Sequence, residues 1–225
     1  MEAVNIIALS MGAAWASGIN LYATIVMLGY MGMTGNIDLP PGLEILTDPM
    51  VMGAATLMYC IEFFADKMPG IDSGWDTIHT FIRIPAGAML AAGAIGDVTP
   101  ALELTTALLG GALAAGSHAT KAGTRLLINT SPEPFSNWTA SISEDLIVIG
   151  GLWTAINHPL LFIAALFLFI ILMILLLPRL WRLIKKVFQR IGSWLGLCDP
   201  PLLIPMPTSP PVVDKTIEQS HKSKL

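Results

Sequence analysis

Charge is what this sequence has least of. Only 12% of its 225 residues are Asp, Glu, Lys or Arg, whereas soluble domains carry about 25%. In their place, 54% of residues are hydrophobic and mean hydropathy is +0.68. That balance excludes an ordinary soluble globular domain. Cysteine is nearly missing too. Cys60 and Cys198 are too few for a disulfide framework, so both are expected as free thiols. No His-x-x-x-His or comparable ligand spacing occurs, so a metal would need ligands gathered from separate helices. No metal, other cofactor or nucleic-acid partner is expected. The N-terminal run "MEAVNIIALSMGAAWASGIN" has no Lys or Arg, and its apolar stretch reads as a retained span rather than a leader.

What the sequence does have is apolar runs long enough to cross a bilayer, which takes about 20 helical residues. Six spans are expected, near 4–30, 49–66, 79–96, 101–127, 143–157 and 159–177, separated by Gly, Pro or Asp breaks. The reading is an all-α, polytopic membrane helix bundle. Domain organisation follows as a transmembrane part (1–178), a basic amphipathic helix at the interface (179–197) and a disordered cytoplasmic tail (198–225). Asn129-Thr-Ser and Asn137-Trp-Thr match a glycosylation pattern but fall on the cytoplasmic side, so they read as chance.

Orientation comes from the basic residues. With six spans and both termini inside, all twelve Lys and Arg fall at cytoplasmic ends, in cytoplasmic loops or in the tail. The opposite loops carry Asp38, Glu44, Asp48, Asp97 and Glu103 and no basic residue, which is the positive-inside bias. The last span is expected to stop at Pro178. Beyond it, Leu180, Ile184, Val187, Ile191 and Trp194 share one helix face, and Arg182, Lys185, Lys186 and Arg190 the other. Such a helix lies along anionic headgroups as an anchor, or docks a partner.

The scarce charge is concentrated. "EFFADKMPGIDSGWDTIHTFIR" (62–83) holds Glu62, Asp66, Lys67, Asp72, Asp76 and Arg83, with His79 among them. Asp72, Asp76, His79 and Arg83 are spaced four, three and four apart, one stripe of a helix. Glu62 and Asp66 share a face at the end of the second span. A complementary stripe, His118, Lys121 and Arg125, lies on the fourth span, and Glu144 with Asp145 opens the fifth. An unpaired charge inside a span costs about 2.5–3.5 kcal/mol on insertion scales, so these groups should point inward and pair. The expected contact joins the Glu62/Asp66 face to the Lys121/Arg125 face. An ion-pair lock between helices, a site for substrate, ion or proton, and a metal site all fit these residue types.

"GAAWASGINLYA" (12–23) and "GALAAGSHATKA" (111–122) are alike, and they sit on spans one and four, which run in opposite directions. Two inverted three-helix repeats would produce this, and would bring Asn20, Tyr22, His118 and Lys121 toward one another. Small-residue packing produces the same letters. Asn20 also fits a plain interhelical hydrogen bond, and His118 a packed core histidine.

The stretches "SGINLYATIVMLGY", "EFFADKMPGIDSGWDTIHTFIR", "GSHATKAGTRLLINTSPEP" and "NWTASISEDL" together resemble the bacterial membrane proteins of domain-of-unknown-function family 4126. The resemblance covers residues 4 to about 180. It implies a multi-span inner-membrane protein with both termini cytoplasmic on the orientation above, and it implies no activity. In the family pattern a proline often follows the asparagine of the first motif. Leu21 stands there in this chain, which argues against a helix break at Asn20.

The expected function is that of a small permease or a protein handling a lipid-linked carrier, with an intramembrane metalloenzyme as the third reading. Its charged site would open to the cytoplasm and draw on Asn20, Tyr22, Glu62, Asp66, Asp76, His79, Arg83, His118, Lys121, Arg125, Glu144 and Asp145. The cations would hold a small anionic or lipid-linked substrate, and a carboxylate or histidine would carry a coupling proton. The alternative is a non-catalytic scaffold or assembly factor whose ion pairs are architectural.

Overall fold

A computed structural model describes residues 2–68, 71–130 and 134–194, and these are helical. Six α-helices follow one another: α1 (Glu2–Met33), α2 (Pro49–Ala65), α3 (Ile71–Ala94), α4 (Pro100–Ile128), α5 (Pro134–Asn157) and α6 (Pro159–Trp194). A short 3-10 helix, Pro41–Thr47, lies between α1 and α2. The packing set out below is that of the unit Met1–Lys185; Lys186–Leu225 forms a second unit. The tail expected to be disordered lies outside the described residues, as do the side chains of Ile184, Val187, Arg190, Ile191 and Trp194.

Local chemistry explains where most helices start and stop. Asp48 caps α2 by accepting from the backbone N–H groups of Met50 (2.8 Å) and Val51 (3.3 Å), with Pro49 at the first helical position. Thr99 and Pro100 open α4 in the same manner. Beyond α1, Gly35 has φ +70°; Asn36 donates to the Met31 carbonyl and Gly35 to that of Gly32, a helix end that needs a left-handed residue.

Helix α1 is the centre of the bundle, packed against α2, α3, α4 and α5. Its small residues allow this. A Cβ on Gly18 would overlap Ser117 Oγ and the Ala114 carbonyl, and one on Gly87 of α3 would meet Ala114 and Ser17. At that crossing Ser117 donates to the Trp15 carbonyl at 2.9 Å. Small residues that let backbones approach are how helices associate in lipid, where apolar burial offers no gain. The matched segments 12–23 and 111–122 therefore touch. Among the described residues, Trp15 sets its ring edge-on to Phe162 and Phe169 of α6.

Polarity is inverted relative to a soluble protein. Met50, Phe81, Met89, Leu108 and Leu160 are exposed, while Glu62, Arg83 and Arg125 are completely buried. Among the described residues, three helical stretches are long and apolar enough to cross a membrane: Glu2–Met33, Phe135–Asn157 and Pro159–Leu183.

The helices depart from expectation in three places. Helices α3 and α5 begin at Ile71 and Pro134, well before the expected span starts at 79 and 143. Their polar residues find partners inside the protein, Asp72 on Asn129, Asp76 on Arg83 and the Asn137 carbonyl on Arg125, so helix continues through them. Pro178 does not end the last helix, which runs on to Trp194. Proline removes one N–H from the ladder, the one that would reach the Ile174 carbonyl, and the helix carries on past that single gap. Finally, α1 does break at Asn20, whose backbone is extended (φ −144°, ψ 99°). No proline is needed. The Asn20 side chain accepts from the Ala23 N–H at 3.0 Å and caps the second half of the helix.

Candidate functional site

Four helices deliver the scarce charges to one place. Glu62, near the end of α2, and Asp66, which caps it, meet Lys121 and Arg125 of α4. Lys121 Nζ lies 3.2 Å from Glu62 and 3.0 Å from Asp66, and Arg125 lies 3.3 Å from Asp66. Helix α3 adds Arg83, which bonds Glu62 and reaches Asp76 at 3.2 Å. Helix α5 adds Glu144, gripped by Arg125 through Nε (3.0 Å) and Nη2 (2.8 Å). Lys121 also lies 3.4 Å from Glu144 and 3.8 Å from Asp76, so four carboxylates surround one ammonium. Arg125 further donates to the backbone carbonyls of Asp66 and Asn137. Ion pairs this buried hold together only when the remaining hydrogen bonds are made, because each ion gives up several kcal/mol of hydration (roughly, per ion).

Hydrogen bonding fixes the tautomer of His118 and the role of one nitrogen of His79. Arg83 Nη1 can only donate, so His118 Nδ1, 3.1 Å away, accepts. The proton of His118 is then on Nε2, directed at Thr80 Oγ1 (2.8 Å), which itself donates to the Asp76 carbonyl. His118 is neutral. His79 Nδ1 donates to the Trp75 carbonyl at 2.9 Å, leaving Nε2 to meet the Tyr22 hydroxyl at 3.1 Å. Its ring stacks on Trp75 with centroids 4.3 Å apart.

The break in α1 opens onto the same region. Asn20 donates to Asp145 Oδ1 at 2.9 Å, and Tyr59 donates to the other oxygen at 3.0 Å. Asp145 is thus held by two neutral donors, one of them at the interruption of the central helix. All twelve sequence-predicted residues take part in these contacts. Asn20, Tyr22, His118 and Lys121 do so through separate partners rather than through one another.

Several residues of the region were not among the site residues expected from the sequence. Asp72 is held by Asn129, whose amide donates to both carboxylate oxygens at 2.9 Å, and Asn137 donates in turn to Asn129 at 2.8 Å. These two asparagines of apparent glycosylation motifs are therefore internal hydrogen-bonding groups. Tyr59 and Ser141 carry no spacing signal. Lys67 forms no ion pair among the described residues; its ammonium lies over the Phe63 ring and donates to the Phe63 carbonyl and to Ser141. Burial pushes the Lys67 ammonium below its ordinary value.

Satisfaction is incomplete. Glu62 Oε2, Asp66 Oδ1, Asp76 Oδ2 and Arg83 Nε are buried without a hydrogen-bond partner among the described residues. No group of three His, Cys, Asp or Glu side chains among those residues is placed to hold a metal ion.

Long apolar helices, lipid-facing hydrophobic side chains and charges sequestered inside define a helical membrane protein. The family model for a domain of unknown function (DUF4126) matches residues 7–179. The chain belongs to that family. No curated protein and no solved structure matches it.

Proposed function

We propose that the protein is a small permease, or a protein handling a lipid-linked carrier, in the bacterial inner membrane, with six spans and both termini cytoplasmic. In this reading the bilayer is its first partner, through anionic headgroups at the basic end of α6, and a small anionic or lipid-linked substrate is the second. Two inverted three-helix repeats belong to the same proposal; the contact between Ser17–Gly18 and Gly116–Ser117 supports it, whereas the unbroken course of α4 beside the broken α1 gives it no help.

The observation that carries the reading is the meeting of the charged network with the break in α1. Discontinuous membrane helices expose backbone polar groups that lipid cannot satisfy, and transporters place them at substrate and ion sites. Arg83 Nε is a buried donor with no acceptor among the described residues, which supports a site that takes up an acceptor group. A second reading, a scaffold locked by ion pairs, is favoured by how completely Glu62, Arg83 and Arg125 are shut from solvent.

Tyr22→Phe and His79→Gln separate the two, since each removes little beyond one hydrogen bond. The carrier reading predicts normal membrane abundance with failure to rescue the phenotype of a strain lacking the gene. Full rescue by both variants at wild-type abundance refutes it and leaves the scaffold.

A further inference from the structure

The network has one negative charge too many. Glu62, Asp66, Asp76 and Glu144 share only Arg83, Lys121 and Arg125. Adding Asp145 from α5 and Lys67 after α2 leaves the same deficit, and Asp72, buried on the Asn129 amide, adds a further carboxylate. His118 is neutral by its bond from Arg83, and His79 is bonded to the Trp75 carbonyl and the Tyr22 hydroxyl rather than to a carboxylate, so neither histidine neutralises the four directly. Tyr22 of α1 and Tyr59 of α2 are neutral donors. Three of the four carboxylates also keep one oxygen buried and unpartnered among the described residues. A net charge and orphaned acceptors in one dry place are the mark of a missing positive ligand.

We propose that the network binds one exchangeable proton and that Asp76 holds it. Asp76 has the weakest claim on the cations. Its contacts are 3.2 Å to Arg83 and 3.8 Å to Lys121, both made by Oδ1. Glu62 is bonded by Arg83 and lies 3.2 Å from Lys121, Asp66 has contacts of 3.0 and 3.3 Å, and Glu144 is held by two nitrogens of Arg125. A proton on Asp76 Oδ2 cancels the surplus charge. Its release returns the network to one net negative charge. That this proton is the coupling ion of a carrier rests on the reading above; its presence does not.

The test is infrared spectroscopy of the full-length protein in lipid nanodiscs at neutral pH, with thermal unfolding measured alongside. The wild type is expected to show the carbonyl stretch of a protonated, buried carboxyl, shifted by deuterium exchange, and Asp76→Asn is expected to lose it. Asp76→Asn should also leave the unfolding midpoint unchanged, because the amide replaces a carboxyl that is already neutral. Asp66→Asn, which strips two cations of a partner, should lower it. The assignment is overturned if the band is absent, if it survives in Asp76→Asn, or if sodium in place of potassium stabilises the wild type but not Asp76→Asn, which would make a metal cation the ligand.

Discussion

The side-chain amide of Asn20 in α1 donates to Asp145 of α5 across 2.9 Å, while its carbonyl oxygen accepts from the Ala23 N–H. One residue thus caps a half-helix and ties the break to the charged region. Asn20→Ala should lose the cap, worth about 0.5–2 kcal/mol. It should also strand one oxygen of a buried carboxylate, at a further cost of about 1–3 kcal/mol. The expected outcome is a lower thermal unfolding midpoint in nanodiscs; an unchanged midpoint means the cap is idle.

The break makes a second prediction at its neighbour. Leu21 occupies the first helical position after the cap, where proline is favoured. Leu21→Pro should yield folded protein, weakened only by loss of a buried leucine side chain, whereas Ile25→Pro, a turn further into the helix, should not accumulate. Equal loss of both from the membrane fraction would place the helix start elsewhere.

Close packing at the α1–α4 crossing is tested by two glycines. Gly18→Ala forces a Cβ into Ser117 and the Ala114 carbonyl and should cost about 1–3 kcal/mol. At Gly53 of α2 a Cβ meets nothing within 4 Å. Gly53→Ala should therefore be neutral or stabilising by roughly 0.5–1 kcal/mol, as alanine in a helix interior usually is. Heating curves of the two variants, read against wild type, give the answer.

Asn129 presents its amide to both oxygens of Asp72, which is fully buried. Asn129→Ala should destabilise the protein by about 1–3 kcal/mol, since a buried carboxylate loses a donor. Asn129→Asp should be worse at neutral pH and improve as pH falls, because protonating either carboxylate relieves the repulsion. A pH-independent loss in both variants would remove the charge argument.

These residues show where sequence logic works and where it stops. Glu62 with Asp66, and Lys121 with Arg125, could be matched before any coordinates, because helical spacing fixes their faces and lipid offers charge no other refuge. The break at Asn20 was hidden, since the residue that usually announces it, proline, is Leu21 here and a side-chain cap does the work. Asn129 and Asn137, whose glycosylation pattern reads as chance, gave no sign of their bonds inside the protein, because a three-residue pattern says nothing of burial. Tyr59 was invisible: a single tyrosine in an apolar span has no periodic partner, and only the fold brings it to Asp145. Pro178 misled because a proline inside a helix removes one backbone hydrogen bond without having to end the helix.

The most direct test concerns Lys121, whose ammonium gathers four carboxylates from three helices. A double-mutant cycle pairing Lys121→Met with Glu62→Gln, read by unfolding in nanodiscs, measures whether they share one closed network. The account predicts a loss of about 3–5 kcal/mol for Lys121→Met and partial recovery when Glu62→Gln is added. A mild loss for Lys121→Met, with effects that simply add, would contradict it.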